Sequence, residues 1–264
     1  MSEERNLAIF CDFENVALGV KDTGGADRFD MGAVMARLLL KGDVVVKKAY
    51  CDWDRYKSFK ADMHAAAFEL IEIPHLRQSG KNSADIRMVV DALDLCYTKD
   101  HIDSFVIISG DSDFSPLVSK LRENAKTVIG VGVRNSTSDL LVNNCDEFLF
   151  YDDLVAPPPN TRKRRAARAQ SKAASSAADP AAEGLELALD TAEALMAERG
   201  DAQKIWGSMI KQTLTRRRPG FSESAYGFGS FGDLLEEAAR RGLLTLERHE
   251  KSGGYVVKEI TREG

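Results

Sequence analysis

The sequence predicts an α/β protein in which a doubly wound parallel sheet is followed by a second, small α+β domain. Three observations carry that expectation. From residue 6 to about 152, short β-branched runs alternate with longer segments of helical periodicity. Composition then breaks abruptly over residues 156–184. Beyond the break, helical patterns give way to a hairpin signal near the end of the chain.

The strand-like runs are LAIFC (7–11), VVVKKAY (44–50), ELIEIP (69–74), FVIIS (105–109), TVIGVGV (127–133) and EFLFY (147–151). Between them, MGAVMARLLLK, DRYKSFKADMHAAAF, ADIRMVVDALDLCY and FSPLVSKLRENA place apolar residues at i, i+3, i+4 and i+7. Such alternation buries a parallel sheet between two layers of helices. This domain is assigned residues 1–155.

Residues 156–184 hold no large apolar side chain and so cannot bury a core, which predicts a disordered linker. Arg162, Lys163, Arg164, Arg165, Arg168 and Lys172 make it basic. It reads as a solvated spacer or as a non-specific phosphate-binding arm, and the two are compatible. From 185 to 264, LELALDTAEALMAE, KIWGSMIKQTL and FGDLLEEAARRG read as helices, the last bounded by Gly242. LLTLERHEKSGGYVVKEI reads as two strands joined at Gly253-Gly254. Three helices and a terminal hairpin follow the winged-helix plan.

The chain of 264 residues has a formal net charge of −5, so no overall basic field advertises nucleic acid. No apolar run approaches the roughly 20 residues of a membrane span. The start, MSEERNLAIF, lacks the pattern of a signal peptide, and the expected location is cytoplasmic. The four cysteines, Cys11, Cys51, Cys96 and Cys145, form no C-x-x-C pair and read as reduced core thiols.

The chemistry-bearing residues sit at strand ends. The first strand runs into Asp12-Phe13-Glu14-Asn15, and the fourth into Ser109-Gly110-Asp111-Ser112-Asp113-Phe114. Sites in open α/β sheets lie where strand order reverses, at the carboxyl ends of the strands. If strands one and four flank that point, Asp12, Asp111 and Asp113 converge in one crevice. Asp85, at the start of the helix leading to strand four, faces it as well. Clustered carboxylates repel, and a divalent cation removes the conflict; oxygen-only ligands select Mg²⁺ or Mn²⁺. Each aspartate also reads as a helix cap, Asp113 before Phe114-Ser115-Pro116 in particular. On the residues alone, a nuclease, a phosphatase and a phospho-acceptor all remain open.

IFCDFENV, KNSADIRMVVDALDL and VIISGDSDFSPLVSKLRENAKTVIGVG together resemble the NYN domain, the PIN-like nuclease group that includes LabA-like proteins. The resemblance covers roughly residues 5–152 and implies a parallel-sheet, Mg²⁺- or Mn²⁺-dependent ribonuclease. Asp12, Asp85, Asp111 and Asp113 match its acidic site, and Asn15 matches the polar residue beside the first aspartate. Asp91 matches a recurrent acidic position. It lies six residues from Asp85, about 240° round the helix, and so belongs outside the site. Asn82 stands where that family has glycine. Lys81 and Arg134 flank the predicted crevice as candidate phosphate grips, or as solvated surface residues.

In the second domain, the string PGFSESAYGFGSFGDLL (219–235) resembles the OST-HTH/LOTUS domain, which implies an RNA-binding winged helix. Some relatives bind proteins, so a homodimer or protein partner through this domain is the alternative. Phe221, Phe231, Leu234 and Leu235 read as core. Lys204, Lys211 and Arg218 recur at seven-residue intervals beside Arg216 and Arg217, a stripe able to track phosphates if one helix carries it. The expected activity is (endo)ribonucleolytic, with RNA the partner of both domains; a non-catalytic RNA-binding regulator is the other reading.

Overall fold

Six parallel strands form the sheet of the amino-terminal unit: β1 (Asn6–Asp12), β2 (Asp43–Cys51), β3 (Glu69–Glu72), β4 (Ser104–Ile108), β5 (Thr127–Gly132) and β6 (Glu147–Phe150). Their order is β3-β2-β1-β4-β5-β6, so the direction of strand addition reverses between β1 and β4. The computed structural model describes residues 5–22, 28–73, 83–155, 179–199, 204–249 and 253–261. The chain divides into two compact units, Met1–Ala156 and Pro157–Gly264.

β1 explains why its sequence is a continuous apolar run. Leu7, Ile9 and Cys11 join one core cluster and Ala8 and Phe10 the other, so both faces of the strand are buried. On the first face pack α1 (Phe13–Asp22), α2 (Met31–Leu38), α3 (Lys60–Ala65) and α7 (Tyr151–Val155). On the second pack α4 (Ser83–Thr98), α5 (Ser115–Glu123) and α6 (Asp139–Asn144). Phe13 anchors the turn out of β1: its ring lies 5.0 Å from that of Trp53, 5.1 Å from Phe59 and 5.7 Å from Tyr56. That aromatic packing fixes the backbone beside Asp12. All four cysteines are free and buried, as their apolar neighbours imply. Burial pushes the Cys145 thiol up to about 12.

The second unit contains α8 (Pro180–Arg199), β7 (Ile205–Trp206), α9 (Gly207–Arg217), α10 (Phe231–Arg240), β8 (Leu244–Arg248) and β9 (Tyr255–Ile260). The strands form an antiparallel sheet of order β7-β9-β8. Leu185, Leu189, Ile210, Leu214, Leu234, Leu235 and Val257 fill its core. Gly242 and Gly253 adopt φ of 74° and 66°, the left-handed conformations that a helix end and a tight turn require.

Two parts of the second unit depart from the pattern its sequence predicts. α8 opens at Pro180, inside the segment read as linker, with the Asp179 carboxylate accepting from the Ala181 amide (3.3 Å). Gly184 then packs so closely on Tyr226 that a Cβ would lie 2.7 Å from its side chain. The rest of that linker, 156–178, lies outside the described residues. Ile205-Trp206, read as helical, instead pairs with Val257 and Val256.

Ser230 caps α10, its hydroxyl accepting from the Asp233 amide (3.1 Å). Ser230→Ala is expected to lower stability by about 1 kcal/mol, read as a shifted midpoint with unchanged slope in urea unfolding.

Candidate active site

The reversal of strand order opens a crevice between the carboxyl ends of β1 and β4. Asp12, the last residue of β1, is 8% exposed. Its Oδ2 accepts from the Ser109 hydroxyl (3.0 Å) and its Oδ1 from the Asn15 amide (3.4 Å). Ser109 follows β4, and the same hydroxyl accepts from the Asp111 amide (3.2 Å). Asn15 crosses from the start of α1 to take the Gly110 amide on its Oδ1 (2.9 Å). These bonds tie the two strand exits into one frame.

Asp85 stands in the first turn of α4. With Asp12, Asn15 and Asp111 it lines a hollow of about 260 Å³, joined by Glu14, Asp52 and Tyr50. Asp111 caps the short 3-10 turn Ser112–Phe114 by accepting from the Asp113 amide (2.9 Å). The capping role read for Asp113 therefore belongs to Asp111, because β4 leads into a 3-10 turn before α5 begins. Asp113 is exposed and does not line the hollow, although its charge acts on Asp85.

The electrostatics mark the crevice as strained towards the neutral state. Burial, then the Asp85 and Asp111 charges, push Asp12 up to about 7 against the bonds from Ser109 and Asn15. Burial, then Asp111, Asp113 and Glu14, raise Asp85. Asp12 and Asp85 are thus both penalised by burial and by neighbouring charge, the conflict a divalent cation relieves. The donors at hand are all oxygens, which fits Mg²⁺ or Mn²⁺ rather than a softer metal. As they stand, no three of the described His, Cys, Asp or Glu residues are grouped to hold a metal ion; the carboxylates ring the hollow instead.

Asp91 lies apart, as its helical spacing requires. Burial would raise it, but the Tyr50 hydroxyl (2.9 Å), Lys48 (3.3 Å) and Arg87 (3.0 Å) hold it below the usual carboxylate value. Tyr50 touches both the hollow and Asp91.

Among the basic candidates, Lys81 lies outside the described residues. Arg134 is committed elsewhere: its guanidinium pairs with Asp153 (2.9 Å), and its Cζ sits 4.0 Å from the centre of the Phe150 ring. It clamps the exits of β5 and β6 and does not line the hollow. Lys211 on α9 pairs with Glu223 (2.7 Å). Arg216 and Arg217 occupy the last turn of α9, where positive charge suits the helix dipole, and Arg218 is its C-cap. Lys204 precedes β7, so the seven-residue stripe does not share one helix.

Glu14, Asp52 and Tyr50 are site residues that the strand-end aspartates did not announce. Asp52 carried a usable signal, since it directly follows β2 just as Asp12 closes β1.

Fold and site together define an α/β domain with an acidic crevice at its topological switch point. The family profile of the NYN domain matches residues 6–152, more than half of the chain, and the chain belongs to that family. Since NYN domains are PIN-like nucleases, membership points to a nuclease. Among solved structures, a protein of unknown function from Vibrio parahaemolyticus RIMD 2210633 is similar, with 25% identity and a TM-score of 0.51. The match covers 58% of this chain and 97% of that one. No curated protein matches. Among the described residues, no helix is long and apolar enough to cross a membrane.

Proposed function

We propose that the chain is a metal-dependent ribonuclease that hydrolyses RNA phosphodiester bonds internally, with its second unit serving as an RNA-binding module. The observation that carries the proposal is the meeting of Asp12, Asp85 and Asp111 at one hollow, with Asp12 pushed up to about 7 by burial and by its neighbours. Asp12, Asp85 and Asp111 would hold a Mg²⁺ or Mn²⁺ ion, which when bound supplies the positive charge and Lewis acidity that phosphodiester hydrolysis needs. The chain's own residues prepare the rest. Ser109 orients Asp12, and Asn15 pins the Gly110 amide so that Asp111 is presented from a rigid loop. Asp113, exposed at the rim, adds negative charge next to Asp85 and so favours a cation there.

The second unit's element order, helix, strand, two helices and two strands, supports its reading as an OST-HTH/LOTUS winged helix. Arg216, Arg217 and Arg218 are the groups proposed to meet phosphate, with Lys204 beside β7 and Lys81 and Arg134 as weaker candidates. Tethering two weak RNA binders raises the local substrate concentration without a new contact.

The test is cleavage of a labelled single-stranded RNA by the purified chain with Mg²⁺, with Mn²⁺ or with EDTA, and with Asp111→Asn in parallel. Cleavage that needs the metal and disappears in the variant is the expected result. RNA bound but left intact by both proteins, in every metal, would replace the nuclease by an RNA-binding regulator.

A further inference from the structure

α4 is apolar on two sides. Its inner side carries Met88, Ala92 and Cys96 into the core. Its outer side carries Ile86, Val90 and Tyr97, which are 62%, 55% and 61% exposed, with the partly buried Leu93 between them. These four are spaced 4-3-4 along the helix and fall within an arc of about 60°. A solvent-facing helix surface is normally polar, so an apolar stripe opposite a satisfied core face needs a partner.

The spacing is that of a helix-pairing seam, in which Ile86 and Leu93 take one class of seam position and Val90 and Tyr97 the other. Read backwards, 4-3-4 is unchanged, so the stripe complements itself when a second helix runs antiparallel across a two-fold axis. That axis, between Val90 and Leu93, sets Ile86 against the second copy's Tyr97 and Val90 against the second copy's Leu93. The charges beside the seam obey the same symmetry. Arg87 and Asp94, both exposed and seven residues apart, flank one edge. Antiparallel pairing brings Arg87 against the second copy's Asp94, and the reverse, at two equivalent places. A parallel pair would leave both charges unmatched. Arg87 is already oriented by its Nε bond to Asp91 Oδ1 (3.0 Å).

We propose that the outer face of α4 is a self-association surface on which a second copy of this chain docks antiparallel. The surface is separate from the acidic hollow: Asp85 is on the same helix, about 100° from Ile86.

Sedimentation velocity of the full chain over a concentration series tests this. A dimer that dissociates at micromolar concentrations is expected, in keeping with a small interface. Val90→Glu should raise the dissociation constant by at least about tenfold while circular dichroism shows the fold retained. Arg87→Glu alone and Asp94→Lys alone should each weaken the dimer by about tenfold. The double variant Arg87→Glu with Asp94→Lys should return to within about threefold of the parent, a rescue that a purely structural role would not produce. A chain that stays monomeric up to about 0.1 mM overturns the proposal. So does a dimer indifferent to Val90→Glu, or a double variant no stronger than the singles.

Discussion

Asp12→Asn is expected to do two opposite things: to reduce RNA cleavage by about a thousandfold or more, and to make the metal-free protein more stable. The loss follows from removing the central oxygen donor of the hollow. The gain follows from the raised value of Asp12, which burial, then Asp85 and Asp111, push from 3.8 to about 7. Between those values the folded chain holds a proton that the unfolded chain has released, so stability falls as pH rises from about 4 to about 7. Above pH 7 the folded chain carries the full penalty of the buried carboxylate. At about 1.4 kcal/mol per pH unit that penalty is a few kcal/mol. Asparagine removes the charge but loses one acceptor for the Ser109 hydroxyl or the Asn15 amide, which leaves a net gain of about 2 kcal/mol.

Thermal unfolding in EDTA at pH 8 and pH 5 checks this. The variant should melt higher at pH 8, and the difference should close at pH 5, where Asp12 in the parent is already neutral. Adding Mg²⁺ or Mn²⁺ at pH 8 should then raise the parent more than the variant, because a ligand that binds only the folded state stabilises it. A variant less stable than the parent at pH 8 would mean that Asp12 is not held against its own charge, and the metal reading would lose its electrostatic basis.

The parts of this picture legible in the sequence are those governed by local pattern. All six strands of the sheet appear as short runs of strand-forming sequence, and those of β1, β4 and β5 are near-continuously apolar because both faces of these strands are buried. Asp12 and Asp111 were legible because Asp12 directly follows such a run and Asp111 lies one glycine beyond another, and Asp85 because it opens a long periodic helix. What escaped depends on pairings distant in sequence. Arg134 is claimed by Asp153, nineteen residues on, and by the Phe150 ring, through the packing of two strand exits. Lys204 leaves the helical stripe because Ile205-Trp206 finds Val256-Val257, some fifty residues away. The start of α8 moves into the apparent linker because Gly184 packs on Tyr226, and a glycine among alanines shows no such contact in advance. α1 was hidden for a different reason. Its first turn is the Phe13-Glu14-Asn15 segment of the acidic motif, where the residues that begin the helix also line the hollow.

The second large effect is expected at Gly110, where the loop carrying Asp111 passes against the loop after β5. A Cβ on Gly110 would lie 2.4 Å from the Ser136 carbonyl oxygen and 3.0 Å from both the Ser136 carbonyl carbon and Thr137 Cα. All three are backbone atoms, which cannot rotate away. The Gly110 carbonyl also accepts from the Ser138 amide (2.9 Å), and its amide donates to Asn15 Oδ1 (2.9 Å), so the loop is held from both sides. Gly110→Ala must therefore push the two loops apart, with a loss of about 2–4 kcal/mol in stability. Asp111 is the next residue, and a displacement of about 1 Å at a reacting group costs on the order of a hundredfold in rate. Gly19→Ala is the control. Its Cβ would lie 2.4 Å from the Ser136 hydroxyl, which can swing aside, and 3.1 Å and 3.3 Å from the Val133 and Ser136 Cβ atoms, which need give only a few tenths of an ångström, while alanine suits the interior of α1 better than glycine. Urea unfolding and RNA cleavage of the two variants should differ accordingly, with Gly19→Ala the milder of the two in both and Gly110→Ala clearly impaired in both. If Gly110→Ala keeps full stability and activity, the two loops yield without moving Asp111, and the rigid presentation of that carboxylate is not what the site depends on.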